Sequence, residues 1–344
     1  MNDRIESLDT LKGLALLSVV LIHIRGYFIG ETLQPDILSF IVLNTARFAI
    51  PVFFLTSGYL FKKKLEEKEE KSYTRKYLRK LVYYYLLASA LYLALQLVLI
   101  AVETFTGLTL PISRVNITGG LELLYNFIYT GNAVRGSLWF FTALIFSIGV
   151  IYTFEKYKKF DILLFTAGLL HLIGILANTY SVVSLPLPAR DGFFFGLFYT
   201  SIGFKLSGKG LEVLKRHRQK LLITLPIFGV LNLLERAFIT EVAGINPFFW
   251  QDYSFFTLPF ALSIFLIGIL YPNLGSQTRI NLYGKYTLWG YILHQIIGSV
   301  LIGITILVGL IAGNNLLQNS ALNLLTAVLA YTITMEAVIR YNNR

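Results

Sequence analysis

Ten apolar runs of roughly 18 to 25 residues recur along the chain, the length an α-helix needs to cross a hydrocarbon layer about 30 Å thick. Lipid offers no water to unpaired backbone groups, so only helices or closed barrels span it. A barrel would show alternating segments of about ten residues, and these runs are longer and uniformly apolar. Of the 344 residues 55% are hydrophobic and 14% charged, against about 25% charged in a soluble domain. Mean hydropathy is +0.64. A soluble globular fold is excluded. The expected class is an all-α, polytopic membrane helical bundle, with about ten transmembrane helices at roughly 11–29, 37–61, 79–102, 137–154, 161–179, 191–206, 219–240, 255–272, 286–311 and 317–339. Cysteine is absent, which removes disulfides, thiolate catalysis, iron–sulfur clusters and cysteine-ligated zinc. No metal site is expected, and four histidines are left for acid–base work.

The formal net charge is +11. In a soluble protein that would point to nucleic acid, but here membrane orientation accounts for it and no nucleic-acid partner is expected. The termini and the loops after even-numbered spans hold about 24 of the 30 Lys and Arg residues, which places both termini in the cytoplasm. The densest basic segment runs from Lys62 to Lys80, between the second and third spans. Attraction to anionic lipid headgroups is one reading of it. On the opposite side a loop at roughly 103–136 carries Pro111, an Asn116-Ile117-Thr118 sequon and Gly119-Gly120. The first 30 residues lack a small-residue cleavage pattern and read as a retained first helix. No linker, repeat or soluble domain stands out, so residues 1–344 are expected to form one integral membrane domain whose chemistry lies within or at the edge of the bilayer.

An ionisable group in lipid costs about 2.5 to 3.5 kcal/mol, so each needs a partner, a cavity or a function. Lys12 and His23 are 11 residues apart, about 16 Å of rise and about 20° of rotation, hence on one helix face at different depths. Asp9, three residues before Lys12, lies near that face and is placed to hold the lysine or to orient something that passes between Lys12 and His23. His23 reads either as a buried imidazole bonded to a neighbouring helix or as a general base. Arg47, near the middle of the second span, cannot shed its charge and must face the bundle interior, as an ion-pair partner or as the group that stabilises a developing oxyanion. Arg25, Arg135, Arg190, Asp191, Glu235, Arg236 and Asp252 gather around the extracytoplasmic mouth with Trp139 and Trp250. Snorkelling and aromatic anchoring explain any one of them; their number argues for a polar cavity. His294 lies within the ninth span, whereas His171 stands alone and His217 sits in a basic loop.

Several segments together resemble a known family. Arg4-Ile-Glu-Ser-Leu8-Asp9-Thr-Leu-Lys12-Gly13-Leu14-Ala15, running on to His23, is similar to the opening of the acyltransferase-3 family of integral membrane O-acyltransferases. Pro51-Val-Phe53-Phe54-Leu-Thr-Ser57-Gly58-Tyr59 resembles that family's Phe-Phe-x-x-Ser-Gly-Tyr segment. Lys76-x-x-Arg79, Ser137-Leu138-Trp139-Phe140 and Tyr286-Thr-Leu-Trp-Gly-Tyr291-Ile-Leu-His294 follow in family order. The resemblance implies a ten-helix core that takes an acyl group from a cytoplasmic thioester, usually acetyl-CoA, and delivers it to a hydroxyl of a glycan or lipid-linked sugar at the other face. Acyl-CoA is then a co-substrate, with no permanently bound cofactor, and the setting is a bacterial cytoplasmic membrane.

Carried over by position, His23 matches the family's essential histidine and Lys12 stands where the family has an arginine. Lysine keeps the charge there but not the planar fork. Lys76 likewise replaces the first arginine of a basic pair, and Arg79 keeps the second. These readings make His23, as general base or as transient carrier of the acyl group, Arg47 and Asp9 the catalytic candidates, Lys12, Lys76 and Arg79 the candidates for holding acyl-CoA, and Trp139, Arg135, Arg190, Glu235 and His294 those for the acceptor. The membrane half of membrane-bound serine racemases also resembles this family, through Arg47-Phe-Ala-Ile-Pro51-Val-Phe-Phe and the Leu-His of the ninth span. It is associated with serine uptake, so a small-solute carrier is the alternative.

Overall fold

The computed structural model describes residues 4–28, 37–107, 119–208, 215–216, 218–243, 253–311 and 320–343, and every regular element among them is helical. In chain order these are α1 (Glu6–Phe28), α2 (Ile37–Ala46), α3 (Ala49–Glu67), α4 (Glu70–Thr106), α5 (Gly120–Tyr125), α6 (Trp139–Lys156), α7 (Phe160–Asn178), α8 (Leu197–Leu206), α9 (Arg218–Ala243), α10 (Thr257–Leu270), α11 (Arg279–Lys285), α12 (Thr287–Ile311) and α13 (Ser320–Asn342). Asn126–Thr130 and Gly192–Gly196 are π-helical, and Gly136–Leu138 is a 3₁₀ turn leading into α6. Among the described residues each predicted span falls mainly on helix. Among the described residues eight stretches are long and apolar enough to cross a membrane, while Gly192–Leu206 and Thr257–Leu270 are shorter.

Two spans differ from their predicted form. The span expected at 37–61 is two helices, with Arg47 and Phe48 in the turn between α2 and α3. Pro51 is the physical reason. In an unbroken helix its ring would clash with the carbonyl of Arg47, whereas the first turn of a new helix accepts it at no cost in hydrogen bonds. The ladder restarts with Val52 N–H on the carbonyl of Phe48 at 3.0 Å. The third span is longer than expected: α4 has 37 residues, about 56 Å of helix against a hydrocarbon layer of about 30 Å. Its basic first turns therefore stand clear of the lipid. The Glu69 carboxylate caps them by accepting the N–H of Ser72 at 3.2 Å. Gly107, in the left-handed region at φ 69°, closes the far end on the carbonyl of Glu103.

The outside of the bundle is apolar. On α7, Ile162, Phe165, Leu169 and Leu172 are all exposed and recur at three- and four-residue spacing, a lipid-facing stripe. α1 lies inside, packed against α3, α11, α12 and α13. Close backbone approaches fix the helix pairs: Gly13 faces the carbonyl of Ile280 and Gly284 that of Asp9, while Gly58 and Gly203 bring α3 onto α8 against the carbonyls of Thr200 and Leu55. A Cβ at any of these four positions would occupy the opposing carbonyl. Tyrosines complete the polar contacts, with Tyr331 donating to the carbonyl of Gly13 at 2.9 Å and Tyr92 to that of Ile292 at 2.7 Å.

Candidate functional site

The site is built where the second half of α1 meets the first half of α12. On α12, Tyr291, His294, Gln295 and Ser299 are buried and fall at positions i, i+3, i+4 and i+8, so they share a face. Gly298 brings that face onto Ile24 of α1, the residue after His23. The imidazole rings of His23 and His294 lie 5.3 Å apart, centroid to centroid, tilted by 43°. His23 is half-buried and His294 fully buried. Nδ1 of His294 is 2.7 Å from the carbonyl oxygen of Tyr291. A carbonyl only accepts, so that contact assigns the proton to Nδ1 and leaves the lone pair on Nε2. Nε2 is buried without a hydrogen-bond partner among the described residues.

Two arginines complete this end of the bundle. Arg135, just ahead of α6, donates through Nε to the Gln295 amide oxygen next to His294. Arg190, in the connection before the Gly192–Gly196 turn, lies with its guanidinium carbon 4.9 Å from the centre of the Trp139 ring and its Nη2 3.5 Å from Asn132 Oδ1. The charges of both arginines act on His23. The Ser137-Leu138-Trp139-Phe140 segment is the scaffold for this arrangement. Tyr291 donates to the carbonyl of Ser137, and Trp139 packs on Phe54 and Phe195 with ring centres at 6.1 and 5.8 Å. Just outside, the Tyr125 and Tyr129 rings stack at 5.5 Å. Burial, and after it the charge of Asp191, pushes the Tyr129 hydroxyl above its ordinary range.

Of the sequence-predicted residues, His23, His294, Arg135, Arg190 and Trp139 come together here. Gln295, Tyr291, Ser137 and Asn132 join them without having been singled out. Gln295 carried a signal, a polar amide within an apolar span beside a histidine. Arg47 is buried in the break between α2 and α3. Ten residues of α2 set it about 15 Å along the axis from the start of that helix.

Other candidates stand elsewhere. Asp9 is 14 residues from His23 on α1, about 21 Å away along the axis. Its carboxylate is held by Arg4 at 2.6 Å and Lys12 at 2.8 Å. Asp9 therefore pairs with Lys12 and is not beside the histidine it was grouped with. Lys76 and Arg79 are exposed on the projecting first turns of α4. Glu235 accepts from the Tyr180 hydroxyl at 2.6 Å and from the N–H groups of Phe255 and Phe256 at 2.8 Å each, immediately ahead of α10. That geometry makes it a bracket between α7, α9 and the start of α10, apart from the two histidines. Burial, then the bond to this carboxylate, raises the Tyr180 hydroxyl. The Arg25 side chain, His217, Trp250 and Asp252 lie outside the described residues, as do 108–118 of the long outer loop.

The end of the bundle opposite the histidines holds a cavity of about 580 Å³ lined by Lys62, Glu155, Lys158, Asp161, Phe204 and Lys205, among others. Lys62 pairs with Glu155 at 2.7 Å and Lys205 with Asp161 at 2.6 Å, tying α3 to α6 and α8 to α7.

Fold and site together define a polytopic helical membrane protein that keeps titratable groups inside its bundle. The chain belongs to the acyltransferase-3 family, whose acyltransferase domain it matches over residues 5–335. It is also similar to an amino-acid racemase of Enterococcus faecalis, 23% identical over 364 residues that cover 100% of this chain and 47% of the relative. A serine/alanine racemase of Enterococcus gallinarum is 24% identical over 302 residues, 84% of this chain and 40% of that protein. The chain thus spans less than half the length of these curated relatives. No solved structure matches it.

Proposed function

We propose that the protein is an O-acyltransferase of a bacterial cytoplasmic membrane, moving an acetyl or other short acyl group from cytoplasmic acyl-CoA to a hydroxyl of a cell-envelope glycan or lipid-linked sugar. The observation that carries this reading is His23, a half-buried imidazole inside a membrane bundle with a second histidine behind it and two arginine charges acting on it. Acyl transfer needs a base for the acceptor hydroxyl and positive charge or donors for the developing oxyanion. In the proposed step a ring nitrogen of His23 takes the hydroxyl proton as the oxygen attacks the thioester carbonyl. The C–S bond breaks as the tetrahedral intermediate collapses, and His23 returns the proton to the departing thiolate. Arg47, buried in the break between α2 and α3, is assigned to the carbonyl oxygen. Arg135, Arg190 and Trp139 are assigned to the acceptor. At the other end the exposed Lys76 and Arg79, with Lys12, suit the phosphates of CoA.

The test uses purified protein in liposomes with radiolabelled acetyl-CoA and a glycan extract, wild type beside His23→Ala at matched abundance. Label should move to the extract with wild type alone. Full transfer by His23→Ala would refute the role of His23, and absence of both CoA binding and transfer across a broad acceptor mixture would refute the enzyme. One observation favours a second reading: the chain aligns with under half of proteins named for amino-acid substrates. A solute carrier would move serine into liposomes without any thioester.

A further inference from the structure

We propose that His294 is the positioning residue for His23: with the two rings turned toward each other, its Nε2 accepts the N–H of the His23 ring and so fixes which nitrogen of His23 is the base. The inference rests on the acyl-transfer reading above and adds to it the origin of the base's orientation. A neutral imidazole carries one proton and one lone pair, on either nitrogen, and only one of the two tautomers aims the lone pair at an incoming hydroxyl. Something must select it.

Three features of the structure place His294 in that role. First, its own tautomer is set, because Nδ1 lies 2.7 Å from the carbonyl oxygen of Tyr291 and must be the protonated nitrogen. Secondly, Nε2 is a buried acceptor without a hydrogen-bond partner among the described residues, an uncommon state for a polar atom in a protein interior. Thirdly, the donor is at hand. Ring nitrogens lie about 1.2 Å from a ring's centre, so across the 5.3 Å centroid separation two nitrogens turned toward each other come to about 3 Å, a hydrogen-bond distance. The groups that place charge on the pair are Arg135 and Arg190. Both are cations, so neither accepts a hydrogen bond. The Tyr291 hydroxyl is spent on the carbonyl of Ser137. Once His23 has taken the acceptor's proton, the same N–H bond becomes charge-assisted and strengthens.

His171 supplies a contrast. It has the same local geometry, with Nδ1 3.0 Å from the carbonyl of Phe194 and a buried Nε2 without a partner. Its ring is stacked on Phe198 and Tyr253 at 4.7 and 5.1 Å, so it has aromatic faces where His294 has a second imidazole.

The test is nitrogen NMR of protein labelled at its four histidines, with transfer kinetics on His294→Leu and His294→Gln. Leucine removes the acceptor, and glutamine restores an oxygen at the position of Nε2. In wild type the His23 ring should show one tautomer. His294→Leu should give a mixture at His23, leave the His171 signal unmoved, and lower kcat about a hundredfold with KM unchanged. His294→Gln should recover the single tautomer and most of the rate. A His23 ring that keeps one tautomer in His294→Leu would overturn the proposal, and so would a glutamine variant that folds, has an unmoved His171 signal and is as slow as leucine. The tautomer is read without substrate, so it tests the pair even where no acyl group is transferred.

Discussion

Replacing Glu235 by leucine separates a carboxylate that holds the protein together from one that holds a substrate. Its three hydrogen bonds come from the Tyr180 hydroxyl at 2.6 Å and the N–H groups of Phe255 and Phe256 at 2.8 Å. A hydrogen bond to a charged group contributes about 1.5 to 3 kcal/mol, so three of them amount to about 5 kcal/mol at the lower value. Tyr180 and Phe256 are half-buried and Phe255 is exposed, so water replaces part of what is lost, and the expected cost falls to about 3 kcal/mol. With about 2.1 cal/mol/K of unfolding entropy per residue, a chain of 344 residues should lose about 4 °C of Tm. Glu235→Gln, which keeps one acceptor oxygen, should lose about half as much. The assay is a fluorescence melt in detergent without substrate, beside transfer kinetics well below Tm, where the acceptor KM should match wild type in both variants. A variant that melts with wild type while its acceptor KM rises would refute the bracket and return Glu235 to the acceptor site.

Gly203→Val places a Cβ and two methyl groups against the carbonyl of Leu55. Since α3 cannot withdraw from α8 without breaking the reciprocal contact at Gly58, the overpacking cost should exceed about 3 kcal/mol, and size-exclusion of a fluorescent fusion should show no monodisperse protein. Lys76→Gln and Arg79→Gln remove exposed charges from the projecting turns of α4. Each should raise the KM for acyl-CoA about tenfold with kcat unchanged, an effect that shrinks at high salt; an unchanged KM would take CoA away from this segment.

The spans were legible because an apolar run about 20 residues long has only one use in lipid. The break at Arg47 was missed: Pro51 marks it, but a count of apolar residues runs straight through. His23 and His294 each stood out as polar groups in apolar helices. Their meeting did not, because it depends on which helices pack on α1, and the two residues are far apart in sequence. Asp9 and Lys12 form the ion pair that their three-residue spacing invites, at 2.8 Å. Arg4 as second partner of that carboxylate follows from the fold of the chain ahead of the helix. Glu235 shows the limit best. Its charge within a span was visible, but its role is set by N–H groups some twenty residues on, and nothing in the sequence says where those point.

The proposed reaction has to bring a thioester and a hydroxyl from opposite faces to one histidine. Eleven residues of α1 separate Lys12 from His23, about 16 Å of a layer about 30 Å deep. Phosphates cannot follow a thioester into that layer, but an extended pantetheine arm can cover such a depth while its phosphates stay with the basic residues at the other end. The rest of the depth falls to the acceptor, which must descend past the end lined by Arg190, Trp139 and Arg135. A carrier faces a different demand, since its site must open to each face in turn. The structure ties α1 to α11 through Gly13 and Gly284, and α3 to α8 through Gly58 and Gly203, at backbone contact. Helices locked in that way suit a fixed meeting point for two substrates better than a rocking one.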